Sequence, residues 1–153
     1  MKSIIFQSIA DLHSHIGQEV AVSDWLCIPQ SQIQAFADTT NDHQWIHTDV
    51  EMARNESPYG STIAHGFLTM SLIPSFLESC IQYPFVKTTI NYGLNKVRFP
   101  SAVKVNSLIR GRFQIVNLNE IEGGLQIELL ITIDIQGVEK PACVANMLIR
   151  LYF

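Results

Sequence analysis

A chain of 153 residues with 47% hydrophobic and 16% charged side chains reads as one domain, residues 1–153, able to bury a core without disulfides or a structural metal. That composition argues against disorder, and a net charge of -4 without a long run of one sign argues against nucleic acid or an anionic membrane as a general partner. The three cysteines, Cys27, Cys80 and Cys143, are odd in number and far apart, so a reducing compartment is expected rather than a disulfide framework. The N-terminal apolar run, Ile4 to Phe6, is too short for a secretory signal, and no stretch reaches the length of a membrane span. The expectation is a soluble, cytoplasmic protein with no membrane insertion.

In chain order, Val20 to Ile28 is read as a strand. After Pro29, Ser31 to Ala37 forms an amphipathic helix with Ile33, Phe36 and Ala37 on one side. Asp49 is placed as the N-cap of a short helix through Met52 and Arg54. Gly66 to Ile81 is predicted as one helix whose apolar residues cover nearly its whole circumference, so protein must surround it; Pro74 bends it. Thr88 to Phe99 is a strand ended by Pro100. Val103, Val105, Ile109, Phe113 and Ile115 mark another. The clearest alternation is Leu125, Ile127, Leu129, Ile131, Ile133 and Ile135, one face buried and one largely polar. Cys143, Ala145, Met147, Ile149, Leu151 and Phe153 repeat it. Turns at Gly123-Gly124 and Gln136-Gly137 join the last three strands into an antiparallel meander. A sheet needing cover and a helix needing a wrapper define an α+β fold with the sheet curled round a central helix.

Ionisable side chains concentrate between Asp38 and His65. Asp42 follows the first helix and His47 precedes the next, so a loop between two helix ends can fold both onto one spot. Adding water across an activated double bond needs a base for the water and an acid for the carbon, and an imidazole titrating near neutrality serves either part. The plain alternative is a capping Asp and an uninvolved His. Ile63-Ala64-His65-Gly66 opens the buried helix, where free N–H groups suit a developing oxyanion and glycine permits close approach; the plain alternative is a tight turn. Ser71 lies five residues on, with a hydroxyl that faces the site or bonds its own backbone.

Taken together, Asp42-His43-Gln44-Trp45-Ile46-His47-Thr48-Asp49 and Thr62-Ile63-Ala64-His65-Gly66-Phe67-Leu68 resemble the MaoC-like hydratases, the (R)-specific enoyl-CoA hydratases of hot-dog fold. With Asn91-Tyr92-Gly93-Leu94-Asn95-Lys96-Val97-Arg98-Phe99-Pro100, the likeness is to the nodulation-protein-N-like branch and spans Ile16 to Phe153. The resemblance implies Asp42 and His47 as the catalytic pair. It also implies Gly66 as a backbone oxyanion donor, with His65 and Ser71 beside the substrate. The implied substrate is an acyl-CoA or acyl-carrier-protein thioester, handled without a cofactor in a homodimer. Many members have Asn-Pro between the pair; here Gln44-Trp45 stands there, which bears on acyl-chain preference.

Asp42, His43, His47 and Asp49 also carry metal-ligating side chains, but Trp45-Ile46 interrupts and no cysteine is near, so no metal is expected. Cys80 is read as a buried hydrophobe. A hot-dog thioesterase and a non-catalytic acyl-thioester binding subunit remain as alternatives.

Overall fold

Two period-two segments near the C-terminus build the sheet that orders everything else. The computed structural model describes residues 2–153. These form β1 (Ile4–Ile5), α1 (Ile9–Ser14), β2 (Glu19–Val22), β3 (Leu26–Cys27), α2 (Gln30–Thr40), α3 (Trp45–Thr48) and α4 (Val50–Glu56). There follow α5 (Gly66–Ser71), α6 (Ile73–Cys80), β4 (Ile81–Gln82), β5 (Thr88–Arg98), β6 (Leu108–Ile121), β7 (Gly124–Ile135) and β8 (Cys143–Tyr152).

The main sheet is antiparallel in the order β2-β6-β7-β8-β5, with β3 also paired to β6; β1 and β4 form a separate parallel pair. Ile131 of β7 stands opposite Phe113 of β6 and Ala145 of β8. Every second residue of β7 and β8 is buried, from Leu125 to Ile135 and from Cys143 to Leu151. Register shifts in β2, β5 and β6 mark bulges, which increase twist and curl the sheet. Leu68 of α5 and Ile73, Phe76 and Cys80 of α6 join the core built on its inner face. Gly111 of β6 allows the close approach of α6: an added Cβ would lie 3.1 Å from the Phe76 Cβ and 2.7 Å from the Phe113 ring. A curved antiparallel sheet around a central helical segment is the hot-dog arrangement.

Several expectations need correction. The Gly66–Ile81 helix is two helices parted at Leu72, so the break precedes Pro74, which occupies the first turn of α6, where its missing N–H costs nothing. Phe67 is 66% exposed, so this chain does not wrap the helix all round. The strand placed over Val103 to Ile115 starts only at Leu108, because Asn106 takes φ 63° and turns the chain. Val103 and Val105 instead bond Ala64 and Thr62. The Val20–Ile28 strand divides at Ser23 to Trp25, where the Ser23 hydroxyl accepts the Gly111 N–H at 2.9 Å. The first predicted helix, α2, extends beyond Ser31–Ala37 at both ends. Phe153 falls past the end of β8 and is exposed. Helix α1 was not anticipated, although Ser8 caps it by accepting the Asp11 N–H.

Candidate active site

The segment between α2 and α5 folds back on itself through backbone geometry. Asn41 takes the left-handed conformation at φ 60° and ends α2, and both Asn41 and Asp42 bond back to the Ala37 carbonyl. The chain then enters α3, a single turn that carries His47, where a plain loop was expected. Asp49 caps α4 as predicted, its Oδ1 accepting the Met52 N–H at 2.9 Å.

Residues 62–64 thread between α3 and the 103–105 segment. Ile63 N–H bonds the Ile46 carbonyl, Ala64 N–H the Val103 carbonyl, and Val105 N–H the Thr62 carbonyl. The Ile63 carbonyl accepts from Nδ1 of His47 at 2.7 Å. This fixes the tautomer: Nδ1 carries the hydrogen, and Nε2 is left as an acceptor. Two residues not singled out from sequence hold the turn. Gln30 donates to the His47 carbonyl at 2.8 Å and accepts from the Thr62 hydroxyl at 2.6 Å. No motif marks Gln30, and Thr62 opens the second motif without any sign of this contact, because the two meet only through the fold.

His47 is buried, and burial holds its pKa below the ordinary histidine value. The hydrogen bond to Ile63 opposes this, His65 adds to it, and the Asp42 carboxylate opposes it. Asp42 is 56% exposed, and its Oδ1 receives only a long bond, 3.5 Å, from the Gln44 N–H. Donor atoms of Asp42, His47 and His65 nonetheless all lie within 4.8 Å of one another. That spacing suits a small cation, but Nδ1 of His47 and Nε2 of His65 are each engaged by a carbonyl oxygen. A metal bound through either would have to displace that bond.

A cavity of about 470 Å³ opens beside His47, lined also by Tyr59, Gly66, Thr69 and Phe99. Gly66 is the first residue of α5, so its N–H has no acceptor within the helix. A Cβ there would press on the Phe99 ring at 3.1 Å. Two expected substrate contacts lie elsewhere. Ser71 is exposed, and its hydroxyl bonds the Leu68 carbonyl of its own helix at 2.8 Å. His65 is 3% exposed and sits behind His47 rather than on the cavity wall. Trp45 and Asp42 do not line the cavity either; Asp42 stands next to His47 from beyond that wall. A second cavity of about 330 Å³, between α6 and β5, has Glu78 and Tyr83 in its wall but no imidazole.

The curled sheet around a central helical segment, with an imidazole beside the glycine that opens α5, defines a protein of hot-dog fold. The chain belongs to the MaoC-like family, whose domain pattern matches residues 11–132. It is 44% identical over 146 residues to a Mycobacterium tuberculosis protein named 3-hydroxyacyl-thioester dehydratase Z, covering 95% of this chain and 96% of that one. It is 42% identical to nodulation protein N of Rhizobium leguminosarum bv. viciae, covering 95% and 92%. Among solved structures, the R-hydratase PhaJ1 from Pseudomonas aeruginosa superposes with a TM-score of 0.70 at 21% identity, covering 88% of this chain and 79% of that one. This last likeness is one of fold.

Proposed function

We propose that this chain catalyses (R)-specific hydration of trans-2-enoyl thioesters and the reverse dehydration of 3-hydroxyacyl thioesters. The observation that carries the reading is the convergence of the Asp42 and His47 donor atoms within 4.8 Å, with His47 and Gly66 on one cavity wall. The 44% identity to a 3-hydroxyacyl-thioester dehydratase over nearly the full length of both chains supports it.

In the hydration direction a water molecule sits between the Asp42 carboxylate and Nε2 of His47. As its oxygen bonds the β-carbon, Nε2 accepts its proton, and the double-bond electrons move toward the thioester oxygen. The Gly66 N–H meets that oxygen as charge develops. The enolate then collapses, and the proton passes from the pair to the α-carbon on the same face. Asp42 accepts the second O–H of the water and favours the imidazolium. The sequence is redox-neutral, and we assign no cofactor to it.

The substrate is a CoA thioester, with a carrier-protein thioester as the second source of the same acyl group. The assembly is a homodimer. Strand β5 pairs only with β8 among the described residues, and Ile90, Tyr92 and Leu94 stand exposed along it. An open edge of this length invites pairing, and a second copy there would continue the sheet. Among the described residues no helix is long and apolar enough to cross a membrane, and the three cysteines are unpaired; we place the activity in the cytoplasm.

The test follows loss of the conjugated double bond in trans-2-enoyl-CoAs of several lengths, then the configuration of the product. Formation of the (R)-3-hydroxyacyl thioester is expected. Release of free CoA would turn the reading to a thioesterase, and absence of turnover to a binding subunit. Sedimentation gives the assembly state.

A further inference from the structure

We propose that His65 is a positioning residue for the acid–base pair, gripping the Asp42 main chain through one ring nitrogen while its ring face backs His47. Three contacts carry this. Nε2 of His65 lies 3.0 Å from the Asp42 carbonyl oxygen and 3.9 Å from Asp42 Oδ2. The His65 and His47 ring centroids are 3.7 Å apart, with planes inclined by 25°. Phe36 of α2 closes on His65 at 5.1 Å between centroids.

The grip matters because, beside it, Asp42 is held among the described residues only by its N–H to the Ala37 carbonyl and the long bond from the Gln44 N–H. Its carboxylate is mostly exposed and has few contacts of its own, so the place from which it reaches His47 depends on where its main chain is held. His65 is also the residue immediately before Gly66, which ties the Asp42 carbonyl and the His47 ring to the amide that opens α5. With Nε2 facing a carbonyl, the neutral ring carries its hydrogen there, and Nδ1 is the lone-pair nitrogen. That Nδ1 is the buried side-chain polar atom without a hydrogen-bond partner among the described residues. A buried polar atom left unpaired works against folding. What the residue contributes therefore comes from its other nitrogen and its ring face, both of which touch the pair.

The inference rests on Asp42 and His47 being the reacting groups. It is tested on the purified full chain with crotonyl-CoA, comparing His65→Phe, which keeps a ring but no donor, with His65→Gln, which keeps an N–H at similar reach. His65→Phe is expected to lose about ten- to a hundredfold in kcat with KM unchanged, and His65→Gln to recover much of that loss. In an Asp42→Asn background His65→Phe should cost little more, because it acts through Asp42. A rise in KM alone, wild-type kcat in His65→Phe, or no advantage for Gln would overturn the inference. Should a variant fail to fold, 15N spectra of the wild-type imidazoles decide: hydrogen on Nε2 of His65 supports the grip, and hydrogen on Nδ1 removes it. The two readings fail separately. Full turnover by Asp42→Asn sinks the catalytic pair, whereas an inactive Asp42→Asn beside an unaffected His65→Phe sinks only this inference.

Discussion

The inner face of β7 and β8 and the segment from Asp42 to Gly66 are held by different means. The sheet face is redundant. Its buried Ile, Leu and Met side chains each contribute about 1.5–3 kcal/mol by leaving water, and many neighbours share every contact. The site segment relies on single polar bonds: His47 to the Ile63 carbonyl, Gln30 to the His47 carbonyl, Thr62 to Gln30, His65 to the Asp42 carbonyl. Each such bond nets only about 0.5–1.5 kcal/mol, yet each sets a direction on which rate depends in the proposed mechanism. Under the proposed mechanism stability and activity are carried largely by separate parts of the molecule, and substitutions should pull them apart.

The largest effect is expected at the pair. Asp42→Asn and His47→Ala should each lower enoyl-CoA hydration by about two to four orders of magnitude, read as kcat. Asp42 is exposed, so its variant should unfold in urea as the wild type does. His47→Ala also leaves the Ile63 carbonyl unpaired in a buried place and should cost about 1–3 kcal/mol of stability. The converse test is Ile131→Ala on β7, at a fully buried position. It should cost about 2–5 kcal/mol in urea unfolding while the folded enzyme keeps its kcat. A matching fall in kcat would show that the two regions are coupled.

A smaller effect is expected at Gly66→Ala, where the new methyl meets three Phe99 ring atoms at 3.1–3.2 Å. Displacement of a few tenths of an ångström should lower kcat by about tenfold with little change in unfolding. The smallest effect is in pH. The lowered pKa of His47 keeps the imidazole neutral to more acidic pH than an ordinary histidine, so the acid limb of kcat/KM should lie below the usual histidine range. The unfolded chain takes up this proton first as pH falls. The stability contribution of neutral His47 is therefore complete above the unfolded pKa and erodes between that value and the lower folded one. Asp42→Asn removes an opposing charge and should move the His47 titration lower still, measured by NMR. An upward shift would mean that the carboxylate does not face the ring.

Parts of this were legible from local pattern. The buried residues from Leu125 to Ile135 were read correctly because period two is a property of neighbouring residues. The Asp49 cap was legible because its partner is three residues away. Asp42 and His47 could be singled out by their spacing and by the Ala-His-Gly sequence that follows. The resemblance puts His65 beside the substrate, and nothing local in the sequence shows that its ring reaches the Asp42 carbonyl instead of the cavity wall.

By itself, then, the amino-acid order determined the two alternating C-terminal strands, the cap and the identity of the family, all of which depend on residues near one another or on a linear motif. Tertiary structure alone decided that β6 begins after Asn106, that Gln30 and Thr62 hold α3, that Phe99 closes on Gly66, and that His65 reaches the Asp42 carbonyl while its ring stacks on His47. Those outcomes join residues distant in the chain, and their geometry exists only once the sheet, the helices and the 62–64 segment have packed against one another.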